Sequence, residues 1–363
     1  MTTFVQAQPI PAQPNPNKEE LSAARRYGKV LLGTPTNVFI TVGCVVILTL
    51  VVPPLFRWLF SEAVWSGTPE ECRRAAGACW PFIQEKFRFF IYGMFPLEER
   101  WRATLAIVIL FGITGIAMVP RFWGKGLVLA WLAAIVSVFW LLLGGFGLPP
   151  VRTEMIGGLP LTLLLSLTVL PLGFPVGLLL ALGRRSEFRL FRWISIAVIE
   201  AFRGSPLVAT LFIASVMLPF FLPEGMTLPK LMRALAAFLI VAAAYIAEAL
   251  RGGFQVIPEG QSEAAFSIGM KRWQILFLVT LPQVIRHSIP GLVTIVVLFF
   301  KDTSLIIVIG MSDFLAAIQL ASRDPAWIGF SVEGYVFAAA FYFTFCYALS
   351  LYALRLERRR QNH

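Results

Sequence analysis

Residues 258–273 read Pro258-Glu-Gly-Gln-Ser-Glu-Ala-Ala-Phe-Ser-Ile-Gly-Met-Lys-Arg-Trp273, and Leu281-Pro282 follow shortly after. Pro258 fits the opening of a short helix and Gly269 a left-handed helix end. Between them Glu263, Ala264, Ala265 and Ile268 make a surface helix with a small-residue face, onto which another protein's groove can close. Trp273, Ile275 and Phe277 then restart an apolar helix that Pro282 is expected to interrupt. The segment is too polar to span a bilayer and too well punctuated for a linker. It reads as a docking element lying along a membrane.

Working outward, eight apolar runs flank it: Val38–Leu55, Thr104–Val119, Leu127–Leu148, Leu159–Leu182, Trp193–Leu222, Leu231–Leu250, Ile289–Gly310 and Tyr335–Leu354. Most are near the length that crosses a ~30 Å hydrocarbon layer. Of the 363 residues, 58% are hydrophobic and only 14% charged, against about 25% charged in a soluble domain. A soluble chain of this composition would expose apolar patches and aggregate. A soluble enzyme, a disordered chain and a secreted disulfide scaffold are therefore excluded. The expected class is an all-α integral membrane protein with about eight transmembrane helices. No run has the alternation and aromatic girdles of a membrane barrel.

Scarcity narrows the chemistry. The two histidines, His287 and His363, stand in no zinc-ligand spacing, so no metal is expected. No GxxxxGK[ST] occurs, so no cofactor, ATP included, is expected on this chain. The net charge of +11 would suggest nucleic acid in a soluble protein. In a membrane protein it records cytoplasmic loops, and no nucleic-acid partner is expected. With the N-terminus inside and the spans alternating, the inner segments collect more than half of the basic residues, among them Arg25, Arg26, Arg184, Arg185, Lys271 and Arg355. Both termini are then cytoplasmic.

Residues 1–36 read as a cytoplasmic disordered tail, because the first twenty are polar and proline-rich and lack a signal-peptide pattern. Residues 37–150 hold three spans and a long outer loop, 57–102. Residues 151–363 hold five spans, with the polar segment at about 255–285 between the third and fourth of them. No convincing internal repeat is visible, so the inverted-repeat signature of secondary carriers is missing. Cys72 and Cys79 fall in the outer loop, where six intervening residues can close a disulfide or leave two free thiols. An oxidising compartment favours the bridge. Cys44 and Cys346 read as small core residues. The outer stretch with Phe82, Phe87, Phe89, Phe90 and Phe95, with Trp80 and Trp101, reads as an interfacial aromatic belt. Its alternative is a ledge for an external partner.

Glu263-Ala264-Ala265, then Gly269, then Leu281-Pro282 resembles the EAA loop of permease subunits of ATP-binding-cassette (ABC) importers. The resemblance implies that Glu263, Ala264, Ala265, Gly269 and Pro282 belong to a coupling helix seated in a groove of a separate ATPase, which binds ATP–Mg. Gly158-Leu-Pro-Leu-Thr, Glu200-Ala-Phe-Arg-Gly-Ser-Pro-Leu, Glu248-Ala-Leu-Arg-Gly-Gly and Lys301-Asp-Thr-Ser-Leu are similar to the polar amino acid permease subfamily, although Ser205 stands where threonine is commoner. That subfamily implies a five-helix type I importer core, here preceded by three extra helices. The outer loop, with Cys72, Gly77-Ala78-Cys79-Trp80 and Phe95-Pro96-Leu97-Glu98-Glu99-Arg100-Trp101-Arg102, resembles the long permeases of broad-specificity L-amino acid importers, including those for glutamate, glutamine, aspartate and asparagine. The partners implied are ATPase subunits, a second homologous permease in a heterodimer, a periplasmic amino acid-binding protein, the amino acid substrate and membrane lipid. The location implied is the bacterial inner membrane.

Charges inside membrane segments are costly and mark candidate functional sites. Glu200, Arg203 and Ser205, and Lys301, Asp302, Thr303 and Ser304, are candidates for the substrate pathway. Lys301 and Asp302 lie where the seventh helix can break after Phe300, exposing backbone groups to a charged ligand. Alternatively they pair with each other at the outer interface. Glu200 and Arg203 can bend toward the pathway at Gly204-Ser205-Pro206, or form a structural pair at i, i+3. Glu248 and Arg251 repeat that spacing near the cytoplasmic end and suit a gate or anchor, and Gly252 and Gly253 suit close helix approach. Intramembrane proteolysis fits poorly, since Gly204-Ser205 lacks a GxSG context and Gly310-Met-Ser-Asp313 misses the second glycine of GxGD. No catalytic residue is expected. A secondary amino acid carrier without an ATPase is the alternative, and it would need no docking loop.

Overall fold

In lipid an apolar run satisfies its backbone only as a helix or in a closed barrel. The computed structural model describes residues 23–221, 223 and 228–361, and no strand occurs among them. Two compact units divide the chain, Met1–Val64 with Glu70–Ala78, and Trp65–Pro69 with Cys79–His363.

In the first unit, α1 (Ala23–Leu32) leads into α2 (Pro35–Phe56). Thr34 caps α2, its Oγ1 accepting from the Asn37 N–H at 3.2 Å, and Asn37 Nδ2 donates back to Val30 O at 2.8 Å. The tail expected over 1–36 is therefore helical from Ala23; the rest of it, residues 1–22, lies outside the described residues. The reason is spacing: Ala23, Tyr27, Val30 and Leu31 recur at helical intervals within a stretch of good helix formers. Helix α2 is apolar on all faces, as a membrane-crossing helix should be.

The short α3 (Pro69–Arg74) carries Cys72, and α4 (Trp80–Tyr92) follows. Neither Cys72 nor Cys79 is a free thiol, whereas Cys44 and Cys346 are. Next come α5 (Arg100–Ala117), α6 (Lys125–Leu143), α7 (Gly158–Arg184), α8 (Arg189–Gly204) and α9 (Leu207–Phe212). Then follow α10 (Lys230–Val256), α11 (Glu259–Ser267), α12 (Arg272–Gln274), α13 (Leu281–Asp302), α14 (Phe314–Ala321) and α15 (Ser331–Gln361). Seven helices among the described residues are long and apolar enough to cross a membrane. The eighth expected span is a bent pair, α8 with Leu207–Phe221, turned by 105°; Leu222 lies outside the described residues. Pro206 has no N–H to continue the ladder of α8, and Gly204 and Ser205 before it hold the helix weakly. Helix α8 is also strongly amphipathic, with Arg189, Arg192 and Arg203 among its apolar residues, which suits an interface better than a lipid interior.

Pro282 does not interrupt a helix as expected. The chain runs helically from Arg272 through α13, and the turns just before the proline, Ile275–Thr280, open to π-helix. The wider turn accommodates the missing donor and the ring. The seventh span likewise does not break after Phe300. It tightens to 3₁₀-helix over Thr303–Ile309 and stops at Gly310, whose φ is +75°.

The interior is built on α7 and α10. A Cβ on Gly177 of α7 would stand 2.7 Å from Ile246 Cγ2 and 2.9 Å from Ala243 O on α10. Small residues let the two backbones come this close, so the pair gains dispersion contact that lipid cannot supply. Two turns further along, α10 meets α13, where a Cβ on Gly253 would lie 2.4 Å from Ser288 Oγ. Of the two glycines expected to allow close approach, only Gly253 does so, because Gly252 faces open space.

Helix α4 corrects the reading of the Phe-rich stretch. Phe82, Phe90 and Phe95 are fully buried, with Phe82 against Trp327 at 5.7 Å and Phe90 against Phe337 at 5.8 Å between ring centroids. These three are buried against protein and not at the bilayer interface, whereas Phe87 and Trp101 of the same stretch are exposed. Polar ties reinforce the packing. Glu333 accepts from the Cys79 N–H at 3.1 Å, Trp327 Nε1 donates to Glu85 at 3.0 Å, and Lys86 Nζ donates to Asp324 at 2.7 Å.

Partial burial works against the charged form of Lys86, but its bonds to Asp324 and Glu85 outweigh that and hold its pKa above the ordinary 10.5. The Lys86 bond, with a second from the Ala326 N–H, holds Asp324 below the ordinary 3.8. Asp324 therefore contributes fully above 3.8, and its contribution is lost as pH falls through the lower folded-state value. Lys86 contributes fully below 10.5 and loses its part as pH rises through the raised value. Hydrogen exchange of the α4 amides is expected to show an extra loosening below pH 3.8 that an Asp324→Asn variant lacks. Identical acid profiles for the two chains would show that the pair does not hold α4.

Candidate coupling surface and charge cluster

Helix α10 ends at Val256, and after Ile257 and Pro258 α11 begins at Glu259. Its far end is closed by two bonds, Gly269 N–H to Phe266 O at 2.9 Å and Met270 N–H to Ala265 O at 3.2 Å. Gly269 sits at φ +86°. This is the Schellman arrangement, with glycine at the left-handed position. No heavy atom lies within 4 Å of where a Cβ on Gly269 would stand, so the backbone angle alone asks for glycine there. Gln283 Nε2 donates to Gln261 Oε1 at 2.6 Å, tying α11 to α13, and Arg272 bonds Glu187 at 2.8 Å on the α7–α8 turn.

The outer side of α11 is uncovered. Ala265 faces inward, while Glu263 and Ala264 are exposed and Phe266 and Ile268 are 67% and 80% exposed. Trp273 and Phe277 extend the apolar surface, and an open cleft of about 490 Å³ lies between Glu263, Phe266 and Arg272. Pro282 is exposed nearby. Large apolar side chains around a short, stiff polar helix mark a surface made for another protein.

Behind this surface the structure gathers Glu200, Arg203, Glu248 and Arg251 into one cluster, joined by Arg184 from the end of α7. Glu248 Oε1 accepts from Arg251 Nε at 2.9 Å and from Nη2 at 2.6 Å. Its Oε2 stands 3.3 Å from Arg203 and 3.6 Å from Arg184. Arg184 also reaches Glu200 at 3.1 Å. The i, i+3 pair expected between Glu200 and Arg203 is not formed, because each finds a partner on another helix. Glu248 thus holds three guanidiniums from α7, α8 and α10. Ser205 is spent on the bend, its N–H donating to Ala201 O at 3.1 Å and its hydroxyl standing 3.3 Å from Thr210 Oγ1.

The second set of candidates lies elsewhere. Ser288 is level with Ala249 of α10, to whose carbonyl it donates at 3.1 Å. From there α13 runs thirteen residues to Lys301, about 20 Å at 1.5 Å per residue. Lys301 is exposed and Asp302 half-buried, and they form no ion pair among the described residues. Ser304 Oγ donates to Lys301 O at 3.0 Å. Thr303 is committed inward: it is fully buried, donating to Phe300 O at 3.0 Å with Asp313 Oδ2 at 3.1 Å. Asp313 also accepts from Tyr342 at 3.1 Å and from the Ala316 N–H at 2.9 Å. The sequence reading missed Asp313 as the anchor of this network, and it missed Arg102. Arg102 is fully buried and donates to Leu141 O at 2.6 Å and Pro149 O at 2.9 Å, tying α5 to the end of α6. Their only sequence signal was a charge beside an apolar run.

Such a bundle of membrane-length helices, with a short uncovered helix between two of them, has the layout of a membrane transport subunit. Residues 173–362 match the family of binding-protein-dependent transport system inner membrane components. The inner membrane amino-acid ABC transporter permease protein YhdY of Escherichia coli (strain K12) is 44% identical over 338 residues, covering 91% of each chain. The glutamate/glutamine/aspartate/asparagine transport system permease protein BztC of Rhodobacter capsulatus is 30% identical over 427 residues, covering 99% of this chain and 98% of the relative. The crystal structure of an amino acid ABC transporter with histidines aligns at a TM-score of 0.50 and 30% identity, over 56% of this chain and 92% of that one. The chain belongs to the family of inner-membrane components of binding-protein-dependent transport systems, and it is a multi-pass protein of that membrane.

Proposed function

We propose that this chain is the permease subunit through which polar, acidic or a broad set of L-amino acids enters, driven by a separate ATPase that docks on α11. The uncovered apolar helix with its glycine-locked end carries the reading, and the substrates named for the two full-length relatives supply the substrate class. The ATPase binds ATP–Mg and pushes on Glu263, Ala264, Ala265 and Gly269. A binding protein delivers amino acid on the opposite face, and both termini of this chain are cytoplasmic. A second, related permease completes a heterodimer. Glu200, Arg203, Glu248 and Arg251 act as a gate or anchor behind the coupling helix. Lys301 and Asp302, with Ser304 beside them, lie on the substrate side.

Affinity purification of the tagged chain from its native membranes, with mass spectrometry of its companions, tests the whole. An ATPase and a second permease are expected. A chain that comes out alone and moves amino acids without ATP would instead be a carrier. Lys301→Ala and Asp302→Ala are expected to lower uptake more than membrane assembly, and equal losses would mark them as structural. A Cys72–Cys79 bridge belongs to the same orientation, since its loop then lies outside. Cys72→Ser is expected to change mobility on non-reducing gels, and unchanged mobility would remove the bridge.

A further inference from the structure

We infer that the cavity between the α5–α6 pair and helices α7, α13 and α15 holds an acyl chain of an anionic phospholipid, its headgroup among Arg121, Lys125, Arg286 and Arg355. The cavity has a volume of about 460 Å³ and is lined by Met118, Trp123 and Leu127 from the α5–α6 side, Phe174 of α7, Ile285 of α13 and Leu349 of α15. That size falls in the roughly 300–1,000 Å³ range of small-molecule pockets. The lining offers water almost no partners, so water does not fill it, whereas a lipid tail restores the lost dispersion contacts.

Its level in the membrane follows from the chain. Ile285 is four residues into α13, at the end beside α11, and Met118 and Leu127 bracket the α5–α6 turn. The cavity therefore opens into the leaflet on the α11 side. Four exposed cations stand at that level: Arg121 and Lys125 on the turn, Arg286 next to Ile285, and Arg355 three residues beyond the lining residue Tyr352. None of the four forms an ion pair among the described residues. Segments 114–132 and 281–296 contain no acidic residue, and Glu357 is the one acid near Arg355 in sequence. A basic rim over an apolar slot between spans suits an anionic headgroup with its tail. The inference rests on the fold and not on what is transported.

The test uses the full chain purified from membranes in mild detergent, with native mass spectrometry and analysis of extracted lipid. A retained phospholipid enriched in phosphatidylglycerol or cardiolipin over phosphatidylethanolamine is expected. Arg121→Gln with Lys125→Gln should lower that preference, roughly fivefold for each cation removed, and Leu127→Trp should displace lipid of either class. Unchanged enrichment in the double variant would overturn the inference, as would full lipid retention in a well-folded Leu127→Trp chain. Should Leu127→Trp fail to fold, a photoreactive residue at position 127 reads the occupant directly. Crosslinks to lipid support the assignment, and crosslinks to a protein segment overturn it. A failure of the permease reading would leave this outcome untouched.

Discussion

Gly269→Asp is expected to stop ATP-driven uptake while the protein still reaches the membrane. The argument is conformational. Gly269 holds φ +86°, a region that costs an ordinary L-residue about 1–2 kcal/mol, and a new negative charge at a helix C-terminus adds roughly 0.3–1 kcal/mol. Nothing lies within 4 Å of the new Cβ, so the substitution clashes with nothing and the bundle has no reason to unfold. What changes is the fraction of time in which α11 is closed by its two bonds. Each 1.4 kcal/mol removes about a factor of ten of the docking-competent form. Gly269→Ala carries the strain without the charge and should fall between. Uptake into proteoliposomes reconstituted with the ATPase, beside a blot of the membrane fraction, separates the two effects. Parental uptake in Gly269→Asp would dismiss α11 as the coupling element.

Glu248→Ala is expected to do the opposite, lowering assembly and transport together. Removing it leaves the guanidiniums of Arg184, Arg203 and Arg251 facing one another with one carboxylate, Glu200, that reaches only Arg184. Stranding charges in a partly buried site costs on the order of 3 kcal/mol. Glu200 is more exposed, its side chain at 54%, so Glu200→Ala should cost no more than about 1 kcal/mol. Combining Glu248→Ala with Arg203→Leu should recover part of the loss, since one stranded cation is removed. Thermal unfolding of the detergent-solubilised chains measures the three variants against the parent. A Glu248→Ala chain as stable as the parent would reduce the cluster to independent surface pairs.

These outcomes depend on features of unequal legibility in the sequence. The spans announce themselves because lipid forces helix on any long apolar run, and Pro258 and Gly269 punctuate α11 through backbone chemistry that is local. The 105° turn after α8 was half visible in Gly204-Ser205-Pro206, yet its size depends on where the arginines of α8 are drawn. The buried side of α4 is not legible, because a phenylalanine looks the same in sequence whether it meets lipid or Trp327. Pro282 reads as a helix break, yet a π-turn upstream absorbs it, and nothing in the local sequence announces that turn. Arg184 and Glu248 are 64 residues apart in the chain, and only the close approach of α7 to α10 brings them together. In sequence Thr303 stands with Lys301 and Asp302, whereas Asp313 and Tyr342, further along the chain, turn it inward.

The glycine contact between α7 and α10 has a mechanical side. Helix α11 joins α10 through Ile257 and Pro258 and is tied to α13 by the Gln283–Gln261 bond, so a push on α11 would reach both helices. At Gly177 α10 and α7 are keyed backbone to side chain, and no methylene remains to take up slack. A displacement of α10 would therefore be passed on to α7 through this contact. Compliance has to come from other places, and the structure has wide turns at Ile213–Met217, before α10, and at Ile275–Thr280, before α13.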